Sequence, residues 1–277
     1  MAEDRLSEIR ARYAHRVMQL SGRHNPRIEA AFAAVLRERY LTPPPWRIFA
    51  PGYWRDLVSS EPEELYEDVL VALDEAQRIN NGQPSLHAGW LAAVDPRPGE
   101  TVIQVGIGAG YYTAILAELV GPSGRVEAYE IEPRLAELAR ANLAALNQVA
   151  VHARTGLGTP LPPADIIYVS AGVTAPDPEW LRALKPEGRL VFPWQPDSSA
   201  GIALLVRRTP EGFEADAFMS VSFVGCVGAG PADARPQPIA PGHRLGETRS
   251  LWLCAEKAPD TTATAVFGEV WFSSRPI

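Results

Sequence analysis

The sequence predicts an α/β fold, a doubly wound and mostly parallel sheet with an N-terminal helical cap and C-terminal antiparallel strands or a hairpin. Three consecutive stretches carry that expectation. Thr101–Val105 is an apolar run of the kind that forms a parallel strand buried on both faces. Gly106-Ile107-Gly108-Ala109-Gly110 then makes a turn into Tyr111–Val120, apolar at helical spacing until Gly121-Pro122-Ser123-Gly124 stops it. Arg125–Tyr129 reads as the next strand and ends on Glu130. This is one βαβ unit of a nucleotide-binding, Rossmann-like sheet.

The chemistry of that unit follows from its residue types. Glycines without a Cβ let backbone N–H groups and a helix N-terminus approach a ligand closely. Glu130, 20 residues past Gly110, is placed to accept hydrogen bonds from ribose hydroxyls. A dinucleotide fingerprint would need glycine at position 111, where the chain has Tyr111. The spacing is G-x-G-x-G instead, the form found in proteins that bind S-adenosyl-L-methionine (SAM). The expected cofactor contacts are Gly106, Ile107, Gly108, Gly110, Tyr111, Glu130 and Ile131.

Composition sets outer limits. With 277 residues and 46% hydrophobic content, one large domain, or one domain plus an appendage, is expected. Three regions are read along it: an N-terminal helical cap over 1–90, the cofactor domain over 91–228, and a linker with a β-hairpin over 229–277. A formal net charge of −7 argues against a nucleic-acid partner. The charged start, MAEDRLSEIR, lacks a signal peptide's apolar stretch, and no 18-residue apolar run suggests a membrane span. Cys226 and Cys254 fit a reducing, cytoplasmic setting. The five histidines are scattered, so no metal site is expected.

Outside the βαβ unit, Leu6, Ile9, Tyr13, Val17 and Leu20 share one helical face over residues 4–20. Asn25-Pro26 opens a second helix carrying Ile28, Phe32, Val35 and Leu36. Residues 47–64 read as irregular; their aromatics Phe49, Tyr53 and Trp54 either pack a cap or wall an acceptor pocket. Asn80-Asn81-Gly82-Gln83-Pro84 must turn, and Ser85 is placed to cap the helix that follows. Pro133–Leu146 reads as a helix and Val149–Val151 as a short strand. Asp165–Ser170 is the strand whose C-terminal end should overhang the cofactor. It lacks the acidic-or-amide-Pro-Pro-aromatic tetrad of adenine methylation. A helix over Trp180–Leu184, a strand over Leu190–Pro193 and an antiparallel pair, Ile202–Arg207 with Phe213–Val227, come next. Residues 228–247 read as a linker. Leu251–Cys254 and Ala263–Phe272 then form a hairpin, which packs on the sheet edge, closes a pocket or pairs two copies as a homodimer.

Several ordered blocks resemble the protein-L-isoaspartate O-methyltransferase family over residues 26–228. They are Val35-Leu36-Arg37-Glu38-Arg39-Tyr40, Tyr66-Glu67-Asp68, Gly82-Gln83-Pro84-Ser85-Leu86-His87-Ala88, the glycine loop with Tyr111, Tyr129-Glu130, Leu184 to Val191, and Ser222-Phe223-Val224-Gly225. The resemblance implies a Rossmann-like SAM-dependent methyltransferase with His87 as a further cofactor contact. Three departures stand out. Gly82 replaces the family's serine on the acceptor side, and Gln104 replaces an acidic residue before the loop. Ala153-Arg154-Thr155 falls where the family has an adenine-facing acid, so Arg154 or Thr155 is expected to substitute.

The acceptor implied is a carboxylate, on a peptide, a protein or a small molecule. With a reference pKa of about 4 it is ionised at neutral pH and needs no general base. Asn81, Gln83 and Ser170 are the expected catalytic positions, and Asn80, Asn81, Gly82, Gln83 and Ser85 the expected acceptor-binding ones. The lost hydroxyl at Gly82 carries the expectation that isoaspartate repair is not efficient. Two other classes stay open: a non-catalytic SAM-binding protein, suggested by the three departures, and a nicotinamide oxidoreductase, disfavoured by Tyr111.

Overall fold

The computed structural model describes residues 2–49, 52–57, 61–196, 201–229 and 244–277. Its helices are α1 (Ala2–Leu20), α2 (Pro26–Ala34), α3 (Pro84–Val94), α4 (Tyr111–Val120), α5 (Pro133–Asn142) and α6 (Pro178–Ala183). Its strands begin with β1 (Arg47–Phe49), β2 (Trp54–Asp56), β3 (Leu70–Asp74), β4 (Ile79–Asn80), β5 (Thr101–Val105), β6 (Arg125–Glu130) and β7 (Val149–Ala153). They continue with β8 (Ala164–Val169), β9 (Leu184–Trp194), β10 (Gly201–Arg208), β11 (Phe213–Val221), β12 (Ser250–Leu253), β13 (Ala263–Phe267) and β14 (Val270–Ser273). The chain forms two compact units, Met1–Glu100 with Ile107–Arg154, and Thr101–Gly106 with Thr155–Ile277.

In the first unit, α1 buries the face of Tyr13, Ala14, Val17 and Met18. α2 starts where the sequence says it should. Asn25 accepts from the N–H groups of Arg27 and Ile28, with Pro26 at the first helical position. α4 is buried at every position but the exposed Glu118 and carries apolar or aromatic residues nearly all round. β6 runs parallel to β7, with Val126 opposite Val149 and Glu130 opposite Ala153. α5 ends at Asn142, short of the expected Leu146.

The expectation of an irregular segment over 47–64 is corrected: β1 and β2 lie within it and join β3 and β4 in an antiparallel sheet in the order β2-β1-β3-β4. Its core is Leu41, Trp46, Ile48, Leu57, Leu65, Val69 and Val71. Phe49 and Trp54 pack ring against ring at 5.4 Å, while Tyr53 stays 58% exposed.

In the second unit, β5 pairs parallel with β8, Val102 against Ile166 and Val105 against Val169. β8 pairs parallel with β9, after which β10, β11 and β12 add on antiparallel. The expected single strand Ala263–Phe272 is two strands. Gly268, at φ +55°, turns the chain between β13 and β14, and β14 pairs with β12. Trp194 and Phe272 stack at 4.4 Å, so this addition shares the core of its unit. β11 ends at Val221 rather than Val227, and most of the expected linker, 230–243, lies outside the described residues.

The chain order β5-α4-β6-α5-β7, with β8 and β9 parallel to β5, is the doubly wound Rossmann-like arrangement expected from the sequence. Among the described residues no helix is long and apolar enough to cross a membrane. No group of three or more His, Cys, Asp or Glu could hold a metal ion among them.

Candidate active site

The glycine loop adopts backbone angles that side chains resist. Gly108 and Gly110 have φ of +56° and +100°. A Cβ on Gly108 would lie 2.8 Å from Leu73 Cδ1, and one on Gly110 would lie 2.8 Å from Leu143 Cδ1. Conformation therefore favours glycine at both positions, and a side chain at either would also have to displace the end of a leucine.

Glu130, at the end of β6, braces this loop. It is 7% exposed. Its Oε2 accepts the Gly108 N–H at 2.8 Å and its Oε1 accepts the Glu132 N–H at 3.0 Å. Burial pushes its carboxyl above the ordinary range, while the N–H groups of Glu132, Gly108 and Ile131 pull it back down. Ile131 beside it is 44% exposed, and Ile107 is buried. Loop N–H donors beside a buried acceptor carboxylate form a set that suits a ribose-bearing ligand such as SAM.

Tyr111 is placed differently from the ligand-facing position the spacing suggested. Its hydroxyl lies 3.1 Å from that of Tyr13, and its ring meets Phe32 edge-on at 6.3 Å. Only its backbone, at the start of α4, belongs to the loop. His87 is likewise covered by protein at 1% exposure and stacks on Tyr112 with ring centroids 3.7 Å apart. Desolvation lowers its pKa to about 3, so it is neutral at pH 7. A direct ligand contact from either side chain would require rearrangement.

The turn at 80–85 is held by hydrogen bonds that the sequence did not reveal. Asn80 Oδ1 accepts the Gly82 N–H at 2.9 Å, and the Tyr112 hydroxyl donates to the Gly82 carbonyl at 3.0 Å. Asn81, 8% exposed, accepts the Val71 N–H at 2.8 Å and an Arg37 N–H at 3.5 Å through Oδ1. Its Nδ2 is buried without a hydrogen-bond partner. Ser85 does not cap α3, which begins one residue earlier at Pro84. Ser85 and Gln83 instead bind Asp68. The Ser85 N–H reaches Oδ1 at 2.8 Å, while Ser85 Oγ and Gln83 Nε2 reach Oδ2 at 2.7 and 2.8 Å. Side chains read as free to touch an acceptor are thus spent on the turn, except for the Asn81 amide.

Arg154 rests over the Tyr129 ring at 5.0 Å. In the second unit, Thr155 Oγ1 accepts the Leu157 N–H at 3.1 Å. Ser170 follows β8; its N–H donates to the Val105 carbonyl at 2.8 Å, and its Oγ is buried without a partner. Gly106, at φ +77°, approaches this strand end, for its Cβ would lie 3.5 Å from that of Ala171. Gln104 is buried in β5 at 1% exposure. Sequence reasoning missed Asp68, Arg37 and Tyr112, although the first two sit inside the blocks Tyr66-Glu67-Asp68 and Val35 to Tyr40.

The family model described as protein-L-isoaspartate(D-aspartate) O-methyltransferase matches residues 55–230, more than half of the chain. A protein-L-isoaspartate O-methyltransferase of Ignicoccus hospitalis is 36% identical over 174 residues, 60% of this chain and 82% of the relative. One from Methylorubrum populi is 41% identical over 165 residues, 58% of this chain and 75% of the relative. A solved protein-L-isoaspartate O-methyltransferase superposes with a TM-score of 0.68 over 95% of this chain and 86% of its own, at 20% identity. A Plasmodium falciparum beta-aspartate methyltransferase in complex with S-adenosyl-L-homocysteine superposes with a TM-score of 0.63 over 78% of this chain and 97% of its own, at 16% identity; both likenesses speak for the fold. The chain belongs to the protein-L-isoaspartate O-methyltransferase family and is a SAM-dependent methyltransferase.

Proposed function

We propose that this protein methylates a carboxylate of a peptide or protein acceptor, with the isoaspartyl residue as its acceptor group. The names of the relatives point to that acceptor. The observation that supports it in this chain is the buried, unpartnered Nδ2 of Asn81, next to the glycine that replaces the family's serine. A buried donor without a partner is costly to keep, and a carboxylate oxygen would satisfy it once the turn shifts to admit the acceptor. The expectation of inefficient repair rested on the missing hydroxyl at Gly82. The comparisons lend it no support, and the Asn81 amide is a donor one residue away.

SAM when bound supplies a sulfonium methyl that is already electrophilic. The residues of this chain have to bind, orient and exclude water. Glu130 would accept from the ribose hydroxyls, and the glycine loop would let backbone N–H groups approach the cofactor. Asn81 would hold one acceptor oxygen through its Nδ2. No residue has to remove a proton, because the acceptor arrives ionised.

The test is methyl transfer to an isoaspartyl peptide and its aspartyl counterpart by wild type and Asn81→Asp. The variant keeps the Oδ1 acceptor and stays beside Arg37, but it exchanges the donor for a repelling carboxylate. Turnover of the isoaspartyl peptide by wild type, falling roughly ten- to a hundred-fold in the variant, is expected for a charged hydrogen bond of about 1.5–3 kcal/mol. A wild type that methylates small carboxylates but neither peptide would refute the assignment.

A further inference from the structure

The helix that follows the turn, α3, has no side-chain cap of its own. Gln83, at the N-cap of α3, makes no capping hydrogen bond. The job is done from 17 residues upstream. The Asp68 carboxylate accepts the Ser85 N–H, the Ser85 hydroxyl and the Gln83 amide at 2.7–2.8 Å. A carboxylate can serve several donors, and one at a helix N-terminus also meets the exposed N–H groups of the first turn.

Asp68 is itself held in place. Arg37 is fully buried, and its guanidinium donates to the carbonyls of Leu65, Glu67 and Val69. These alternate residues bracket Asp68, so one rigid fork shapes the segment that presents it. The same fork reaches Asn81 Oδ1 at 3.5 Å. The two ends of the turn are therefore anchored to one stretch of chain, Asn81 by its backbone and side-chain bonds to Val71 and by the Arg37 fork, and Gln83-Pro84-Ser85 through Asp68.

We infer that Asp68 is the positioning residue of the turn, acting through Gln83 and Ser85 to fix where the Asn81 amide stands. The consequence for catalysis rests on the reading of this turn as the acceptor side. Asp68 touches neither methyl donor nor acceptor in that scheme; it sets geometry.

The experiment compares wild type, Asp68→Ala, Asp68→Asn and the Gln83→Ala/Ser85→Ala double variant by three readouts. These are amide hydrogen exchange over 80–87, affinity for S-adenosylhomocysteine, and kcat and KM for an isoaspartyl peptide. Asp68→Ala should speed exchange of the turn at least about tenfold and lower kcat about tenfold or more. Affinity for S-adenosylhomocysteine should stay within about twofold. Asp68→Asn, which keeps an oxygen for the Ser85 N–H, should recover most of the loss. Adding Asp68→Ala to the double variant should cost much less than it costs alone.

Unchanged exchange in Asp68→Ala, or Asp68→Asn as damaging as the alanine, would overturn the inference. Should Asp68→Ala fail to fold, the asparagine and double variants decide by the same criteria. If wild type methylates no peptide, the proposed acceptor falls, while the exchange comparison still decides the role of Asp68.

Discussion

A Cβ on Gly82 would sit 2.3 Å from Nε2 of His87. The glycine also has a φ of +73°. A serine at this position, which the family resemblance leads one to expect, is therefore excluded here by the local backbone and by a buried ring. The glycine and the buried imidazole go together, since the ring occupies the space that a side chain at 82 would need.

Restoring the serine should consequently fail. Gly82→Ser forces a side chain into the left-handed region, about 1–2 kcal/mol, and pushes it against His87. The expected result is a melting temperature lower by several degrees and no gain in methyl transfer. Higher turnover at an unchanged melting temperature would show that the turn relaxes freely and that the hydroxyl is what the site lacks.

A second prediction concerns Gly108. Alanine there meets Leu73 Cδ1 at 2.8 Å and retains the strained φ of +56°. Gly108→Val adds a branched Cβ and should abolish the rise in melting temperature that S-adenosylhomocysteine gives the wild type, a rise expected from binding to the folded state. Gly108→Ala with Leu73→Ala should recover only part of it, because the second change relieves the contact but not the dihedral. A full ligand-induced shift in Gly108→Val would place the cofactor elsewhere.

The parts of this fold that were legible in the sequence are those with long, uniform patterns. β5, α4 and β6 are an apolar strand, an apolar helix and a strand bounded by glycines, and each pattern has one structural solution. The sheet over 47–80 was not legible, because β1, β2 and β4 have only three, three and two residues. Alternation needs more positions than that to show. Gly268 looked like a glycine within one strand, yet it is a turn. At the site, the glycine loop and Glu130 could be read from spacing. The partners of Gln83 and Ser85 could not. Asp68 lies 15 and 17 residues away, and no local pattern encodes which acceptor a side chain finds. Arg37 was hidden for a related reason, since a charged residue at a helix end is ordinarily solvated, and this one is fully buried.

Glu130 gives a third prediction. Its carboxylate accepts two backbone N–H groups and is aimed at ribose hydroxyls in the proposed complex. Glu130→Ala should weaken S-adenosylhomocysteine by at least about tenfold in calorimetry, from charged hydrogen bonds of about 1.5–3 kcal/mol each. Because burial raises this carboxyl above its ordinary value, affinity should begin to fall on acidification at a higher pH than an exposed glutamate would dictate. Equal affinities across wild type and variant would remove Glu130 from the binding site.

The last prediction is a dependence of stability on pH that originates at His87. Desolvation lowers its folded-state pKa to about 3, from the 6.5 of a solvated histidine. The unfolded chain therefore binds more protons than the folded one between those two values, so stability rises with pH across that window. The contribution is fully present above about pH 6.5 and is lost as the pH falls towards 3, with roughly 3 kcal/mol gone at pH 4. Glu130 works in the opposite sense. Its raised carboxyl is relieved of a buried charge on acidification, so it offsets part of the loss. His87→Gln isolates the histidine. It keeps a polar group of similar reach under the turn and cannot titrate. Denaturant unfolding at pH 7 and at pH 4 should show wild type losing more stability than the variant, by an amount on the order of 2–3 kcal/mol. The same difference between the two pH values in both proteins would mean that His87 is solvated in the native state, and that the tight contact between its ring and Gly82 is not maintained in solution.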